Sequence, residues 1–401
     1  MRTTDIRNAG AVWPDDRNHA GTDAGDDTDG FPRNVSGNGG RVVRPQFPRL
    51  DGVVSKAGST DEAARPLSGR GQCASGPGRS DGGTVGPDGG SEPDLGPRFD
   101  RAVARNGYAW WYADALSDDG RHGITIIAFI GSVFSPYYAL ARRFGPADPL
   151  QHCALNVAIY GPNKRWAMTE RRQRAVTRSR ASLALGPSSL RWDGEALVVD
   201  IDEIANPLPS RLRGRVSIHP SALTEQTFAI DANNRHRWRP IAPCARVQVD
   251  LKQPGLRWLG DGYFDINHGD APLEHDFAGW EWSRAATRKG TVVFYDTALR
   301  DGARTHLALR FDRRGDMENV ESLPQTPLPR TGWRIARTAH GDPMQPVKVS
   351  RTLEDTPFYA RSQLSAKLFG ETAEVMHESL SLDRFRNPVV QAMLPFRMPR
   401  R

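Results

Sequence analysis

The residues of this chain best suited to chemistry gather in two short runs. One is Gly260-Asp-Gly-Tyr-Phe-Asp-Ile-Asn-His-Gly-Asp270, followed by Leu273-Glu-His-Asp-Phe277 and Trp280-Glu-Trp282. The other, upstream, is Asn234-Arg-His-Arg-Trp238. Tyr263 and Asp265 are two apart, and so are His236 and Trp238. On strands each pair projects from one face, its members ~6.5–7 Å apart along the chain. If both pairs face one barrel interior, an acid, a phenol, an imidazole and an indole share a pocket. A carboxyl in apolar surroundings keeps its proton, because desolvation disfavours the charged form. Asp265 would then be a general acid. Tyrosine and tryptophan faces stabilise a nearby cation by ~1–2 kcal/mol each when desolvated. Such a set suits protonation of an alkene to a carbocation, with the imidazole positioning the water that captures it. The same spacing also suits plainer roles: an Asx turn at Asp265, and a core pair at His236 and Trp238.

Two rival chemistries start from the same stretch or its surroundings. His268, Asp270, His275 and Asp276 are possible zinc or iron ligands. They match no known ligand spacing, so no metal is expected. The chain has no G-x-S-x-G, no Walker loop and no Rossmann fingerprint. Arg171-Arg-Gln-Arg174, with Arg178 and Arg180, could meet phosphates. Without interleaved aromatics these arginines read as a solvated loop or a membrane-surface patch, and no nucleic-acid partner is expected.

The elements that must position these residues are strands. Alternating and β-branched runs predict strands at 108–116, 124–134, 153–160, 165–170, 182–185, 189–192, 195–201, 211–218, 224–230, 245–251 and 262–266. Further runs predict 280–283, 291–298, 305–311, 332–336, 347–353, 359–364 and 372–382. Many short strands at this spacing mean an all-β barrel or sandwich. The only helix expected is a short piece near 137–143. The uncharged run 124–141 is at the lower length for a spanning helix. Gly131, Ser132, Ser135 and Pro136 break it, so it reads as a buried strand and an apolar loop. Residues 1–97 are Gly- and Asp-rich without hydrophobic period, and read as a disordered tail or an upstream extension. No apolar core follows the basic N-terminus, so no signal peptide is expected. Of the net charge of +7, roughly −3 lies in the tail and roughly +10 in the body. Three cysteines exclude a disulfide scaffold.

Four long runs resemble the carotenoid 1,2-hydratase (hydroxyneurosporene synthase) family. They are Gly107-Tyr-Ala-Trp-Trp-Tyr-Ala-Asp114, Ile126-Ile-Ala-Phe-Ile-Gly-Ser-Val-Phe-Ser-Pro-Tyr-Tyr138, Cys153-Ala-Leu-Asn-Val-Ala-Ile-Tyr160 and Gly262-Tyr-Phe-Asp-Ile-Asn-His-Gly269. The resemblance implies two tandem lipocalin-like barrels after the tail, at 98–277, carrying the active site, and 278–401. It implies a cofactor-independent lyase that adds water across the terminal C1–C2 double bond of an acyclic carotenoid such as neurosporene or lycopene. Asp265 would donate the proton, Tyr263 and Trp238 would stabilise the cation or orient the acid, and His236 would position or deprotonate the water. Trp110, Trp111, Trp280 and Trp282 would be barrel core or line the polyene tunnel. A water-insoluble substrate and a basic body imply peripheral association with the cytoplasmic side of a membrane. The rival functions are a non-catalytic carotenoid or lipid carrier and a metal-dependent hydrolase.

Overall fold

The computed structural model describes residues 95–401. The expected tail, residues 1–97, thus lies outside the described residues except for its last three. Two of those are held: Trp111 Nε1 donates to the Pro97 carbonyl at 2.7 Å, and Arg239 to the Gly96 carbonyl at 2.6 Å.

Twelve strands form the first sheet. They are β1 Tyr108–Ser117, β2 Gly123–Ile130, β3 Cys153–Tyr160, β4 Arg165–Arg171, β5 Val176–Arg178 and β6 Ser182–Leu185, then β7 Ser188–Trp192, β8 Leu197–Ile204, β9 Arg211–Pro220, β10 Phe228–Ala229, β11 His236–Gln253 and β12 Leu256–Gly269. Their order is β4-β3-β2-β1-β12-β11-β9-β8-β7-β6-β5, with β10 added to β11. Neighbours are mostly consecutive hairpin partners, and β1 joins β12. The ends of the sheet curl toward each other. Arg171 of β4 reaches Glu203 of β8 at 2.8 Å, and the Trp166 carbonyl takes the Asn206 N–H at 2.9 Å. The sheet therefore nearly closes, as a lipocalin-like barrel does. Alternate residues fill its interior, among them Trp111, Ile126, Val157, Val199, Phe264 and Ile266.

A barrel facing water on its outside would alternate apolar with polar. β1 does not, and neither does the last half of β12: both are buried on both faces. The reason is a second sheet. It comprises β13 Phe277–Thr287, β14 Gly290–Leu299, β15 Arg304–Phe311 and β16 Met317–Asn319, and after the small pair β17 Gln325–Pro327 and β18 Thr338–His340, β19 Lys348–Asp355, β20 Tyr359–Leu368 and β21 Glu371–Ser381. Trp110, Tyr112, Trp238 and Tyr263 on the outer face of the first sheet meet Trp280, Trp282 and Tyr295 of the second in one buried cluster.

Four α-helices complete the described chain: α1 Pro136–Arg143, α2 Leu273–Asp276, α3 Leu382–Phe385 and α4 Pro388–Arg397. None is long and apolar enough to cross a membrane. The all-β class matches expectation, but details differ. The strand expected at 124–134 ends at Ile130, because Gly131 turns the chain at φ +68°, with no room for a Cβ beside the Gly107 carbonyl. Of 224–230 only β10 pairs, and 332–336 is a loop with Arg334 at φ +61°. β11 begins at His236, well before the expected 245, and its register against β12 slips between Pro240 and Ala245. The sequence does not predict α4, since Pro388 and Pro395 look like breakers. Pro388 in fact occupies the first turn, where no N–H is needed, and Asn387 caps the Val389 N–H at 2.9 Å.

Phe264 sits on the barrel-interior face of β12, 1% exposed, opposite in direction to Asp265. Phe264→Ala should cost about 3–5 kcal/mol of stability, read as a lowered urea midpoint. A loss below about 1 kcal/mol would contradict this division of faces.

Candidate active site

The seam between the sheets holds the acid. β12 alternates so that Tyr263, Asp265 and Asn267 face the seam while Phe264 and Ile266 face the barrel interior. Asp265 stands opposite Tyr112 of β1 on one side and Pro240 of β11 on the other. Proline offers no long side chain there, and Trp238 reaches diagonally to the carboxyl. Trp238 Nε1 and Tyr263 Oη both donate to Asp265 Oδ2, at 2.8 and 2.9 Å. Both donors are neutral. Oδ1 has no hydrogen-bond partner among the described residues. Burial pushes the carboxyl up to about 8, outweighing the two donors that favour the anion. Asp265 is therefore a carboxylic acid at neutral pH, with aromatic rings on several sides. Tyr263 meets Trp282 at 5.4 Å and Tyr112 at 6.2 Å, and Trp238 meets Tyr295 edge-on at 5.4 Å.

His236 belongs to an adjoining chain of groups. Its Nε2 lies 2.7 Å from Asp276 Oδ2, and its Nδ1 2.9 Å from the Tyr108 hydroxyl. The carboxylate accepts only, so Nε2 carries the hydrogen and Tyr108 donates to Nδ1. Desolvation lowers the pKa of this imidazole, which is neutral at pH 7. Gly269 stands opposite His236, and a Cβ there would lie 2.6 Å from both Nδ1 and the Tyr108 ring. The glycine thus makes room for the stack of Tyr108 on Trp110, centroids 4.8 Å apart.

A buried ion network crosses the same seam. Asp114 of β1 accepts from Arg284 of β13 at 2.6 Å and from Arg361 of β20 at 2.8 Å. Arg361 also donates to Glu378 of β21 at 2.6 Å, and Tyr112 donates to the same oxygen at 3.1 Å. Burial raises the Glu378 carboxyl. Beside the network opens an apolar cavity of about 260 Å³. Its walls include Trp110, Tyr112, Phe129, Trp280, Glu378 and Leu394. Tyr263 and the acid lie behind the Tyr112 wall.

Asp265, Trp238 and Tyr263 come together as the spacing suggests, but outside the first barrel, against the second sheet. His236 lies on the same strand as Trp238 but bonds to Tyr108 and Asp276, not to the acid. Of the four tryptophans, Trp110 and Trp280 line the cavity. Trp282 packs on Tyr112 and Tyr263 without lining it. Trp111 points the other way, into the barrel interior. The rival metal set does not assemble. His268 faces Arg101 at 3.3 Å, and burial pushes it down to about 3. Asp270 pairs with Arg237 at 3.1 Å, and Asp276 with His236. Among the described residues, the one group with ligand-like convergence is Asp296, His306 and His340, on the second sheet and its neighbouring strand pair. Burial works the other way, but hydrogen bonds from both imidazoles hold Asp296 at about 2. Sequence reasoning misses Tyr108, Tyr112, Asp114, Arg284, Arg361 and Glu378. Tyr112 and Asp114 share the i, i+2 alternation of Trp110, which is a signal that could have found them.

An all-β protein that keeps a neutral carboxylic acid among aromatic faces, behind an apolar cavity, can donate a proton to an apolar ligand that reaches it. The carotenoid hydratase CrtC family matches residues 126–401. An acyclic carotenoid 1,2-hydratase of Thiocapsa roseopersicina is 51% identical over all of this chain and 99% of its own. One from Rubrivivax gelatinosus is 48% identical over the whole of both chains. Both matches run through residues 1–97 as well. A third, from Cereibacter sphaeroides, is 41% identical over 69% of this chain and 98% of its own. The chain belongs to the carotenoid hydratase family. It is a hydratase, and hydrates acyclic carotenoids in carotenoid biosynthesis.

The raised carboxyl has a consequence for stability. A native Asp265 at about 8 binds a proton that the unfolded chain releases at ~4. Stability therefore falls as pH rises between those values. Asp265→Asn keeps the acceptor for Trp238 and Tyr263 and removes the titration. The variant should be more stable than the parent at pH 8, with the gain shrinking toward pH 4. Parallel pH profiles of the melting temperature in both proteins would contradict a neutral buried acid.

Proposed function

We propose that Asp265 delivers the proton of the hydration, to C2 of the terminal C1–C2 double bond. The observation that carries this reading is a fully buried carboxyl raised to about 8, held by two neutral donors through one oxygen only. The π electrons take the proton at C2 and leave a tertiary cation at C1, the more substituted carbon. The faces of Tyr263, Trp238 and Trp282 stabilise that cation. Water then adds at C1 and loses a proton, giving the tertiary alcohol. His236 takes that proton through the Tyr108 hydroxyl: Tyr108 passes its hydrogen to Nδ1, and Asp276 stabilises the imidazolium. Solvent returns the proton to Asp265. No electron pair leaves the system, so acid and base suffice.

A cavity of about 260 Å³ holds one end of a C40 polyene, not the whole chain. This agrees with reaction at a terminal double bond. Trp110 and Trp280 would grip that end, and the Tyr112 wall would yield as it meets the acid. A polyene of this length is insoluble in water, so we place the working enzyme peripherally on the cytoplasmic side of a membrane.

Incubation with lycopene in H₂¹⁸O tests the chemistry. The parent should give a hydroxylated product carrying the label. Asp265→Asn should lose at least about 10³-fold in rate while still binding polyene, and His236→Gln or Tyr108→Phe about 10²-fold. An active Asp265→Asn protein would remove the acid from the mechanism. Activity should also fall as pH passes about 8. Trp238→Phe removes a donor that favours the anion, so its alkaline limb should move upward. An unmoved or lowered limb would disconnect Asp265 from the profile.

A further inference from the structure

One wall of the apolar cavity is helix rather than sheet. α1 and α4 lie against each other there, and Val390, Met393 and Leu394 of α4 line the cavity. The same two helices expose large apolar side chains. Phe144, at the C-terminus of α1, is 85% exposed and Leu140 51%; on α4, Phe396 is 83% and Val389 69% exposed. Clusters of large apolar side chains in water mark interaction surfaces. α4 has no fully buried residue. The chain just beyond its C-terminal end is nevertheless tethered to β4. The Glu170 N–H donates to the Pro399 carbonyl at 2.9 Å, and the Arg401 N–H to the Glu170 carbonyl at 2.9 Å.

Charge narrows the partner. Residues 133–147 and 384–401 contain no Asp or Glu. They do contain Arg143, Arg386, Arg397 and Arg401, all exposed. Exposed apolar side chains among these arginines suit a surface with anionic headgroups outside and acyl chains beneath. α4 forms one wall of the cavity, so a polyene leaving a bilayer held against this face would pass directly under α4.

We propose that α1 and α4 form the docking face of this protein for an anionic lipid bilayer, with α4 as the lid through which the polyene enters. This rests on the reading that the substrate is an acyclic polyene drawn from a membrane. Phe144 and Phe396 insert among the acyl chains, and the arginines meet the headgroups.

Flotation with vesicles of phosphatidylglycerol and phosphatidylcholine, against phosphatidylcholine alone, tests the face. The parent should float with the anionic vesicles. Phe144→Ser/Phe396→Ser and Arg143→Glu/Arg386→Glu should each reduce binding by about tenfold or more. Both variants should hydrate lycopene in detergent micelles within about twofold of the parent, and lycopene in vesicles about tenfold more slowly. If the parent floats and the variants float equally, the docking face is elsewhere. If the parent does not float, membrane association itself fails. Dimerisation of the parent that is lost in the phenylalanine variant would assign the face to a second copy. A parent inactive in micelles would overturn the functional reading, whatever the flotation shows.

Discussion

The structure depends on keeping one carboxyl dry. A carboxylate taken out of water is costly unless it is paired with a cation, and an unpaired acid stays protonated instead. Asp265 is given no arginine, although Arg284 and Arg361 lie in the same seam and bond to Asp114 and Glu378. Its donors are an indole and a phenol, which orient one oxygen without forcing ionisation. This separation of the neutral acid from the arginine-paired carboxyls keeps a proton available at neutral pH.

The separation requires two sheets. A single nearly closed barrel leaves its outer face to water, where Asp265 would ionise. The second sheet dries that face, and the Asp114–Arg361–Glu378 network ties β1 to β20 and β21 across the join. Such buried pairs add little net stability, because desolvating the charges offsets most of their attraction. They do set how the two sheets sit together: each charge must meet its partner, so few other arrangements are tolerable. The aromatic rings of both sheets then interlock around the acid, and the cavity forms where that interlocking stops.

Much of this was legible in the sequence. Period-2 apolar runs located most strands, and the i, i+2 spacing of Tyr263 and Asp265 placed both on one face. The pairing of Trp238 with Asp265 was foreseeable as a shared pocket but not as a bond. It needs the diagonal across β11 and β12 and the slipped register after Pro240, neither of which is local. Trp110 and Trp111 show the same limit from the other side. Adjacent and chemically alike, they point in opposite directions, so only one reaches the cavity. α4 was hidden because its prolines look like breakers until the cap at Asn387 is seen.

The sequence alone determined the all-β class, the shared strand face of Tyr263 and Asp265, and the family, since alternation, residue type and motif are properties of short stretches. The tertiary structure decided which side of the barrel Asp265 and its aromatic neighbours face. That choice depends on what covers β1 and β12, and the cover comes from strands that lie far later in the chain. It also decided that His236 serves Tyr108 and Asp276 and not the acid directly, and that the arginines pair elsewhere. These outcomes are set by distances between segments remote in the chain, and no local pattern of residues encodes them.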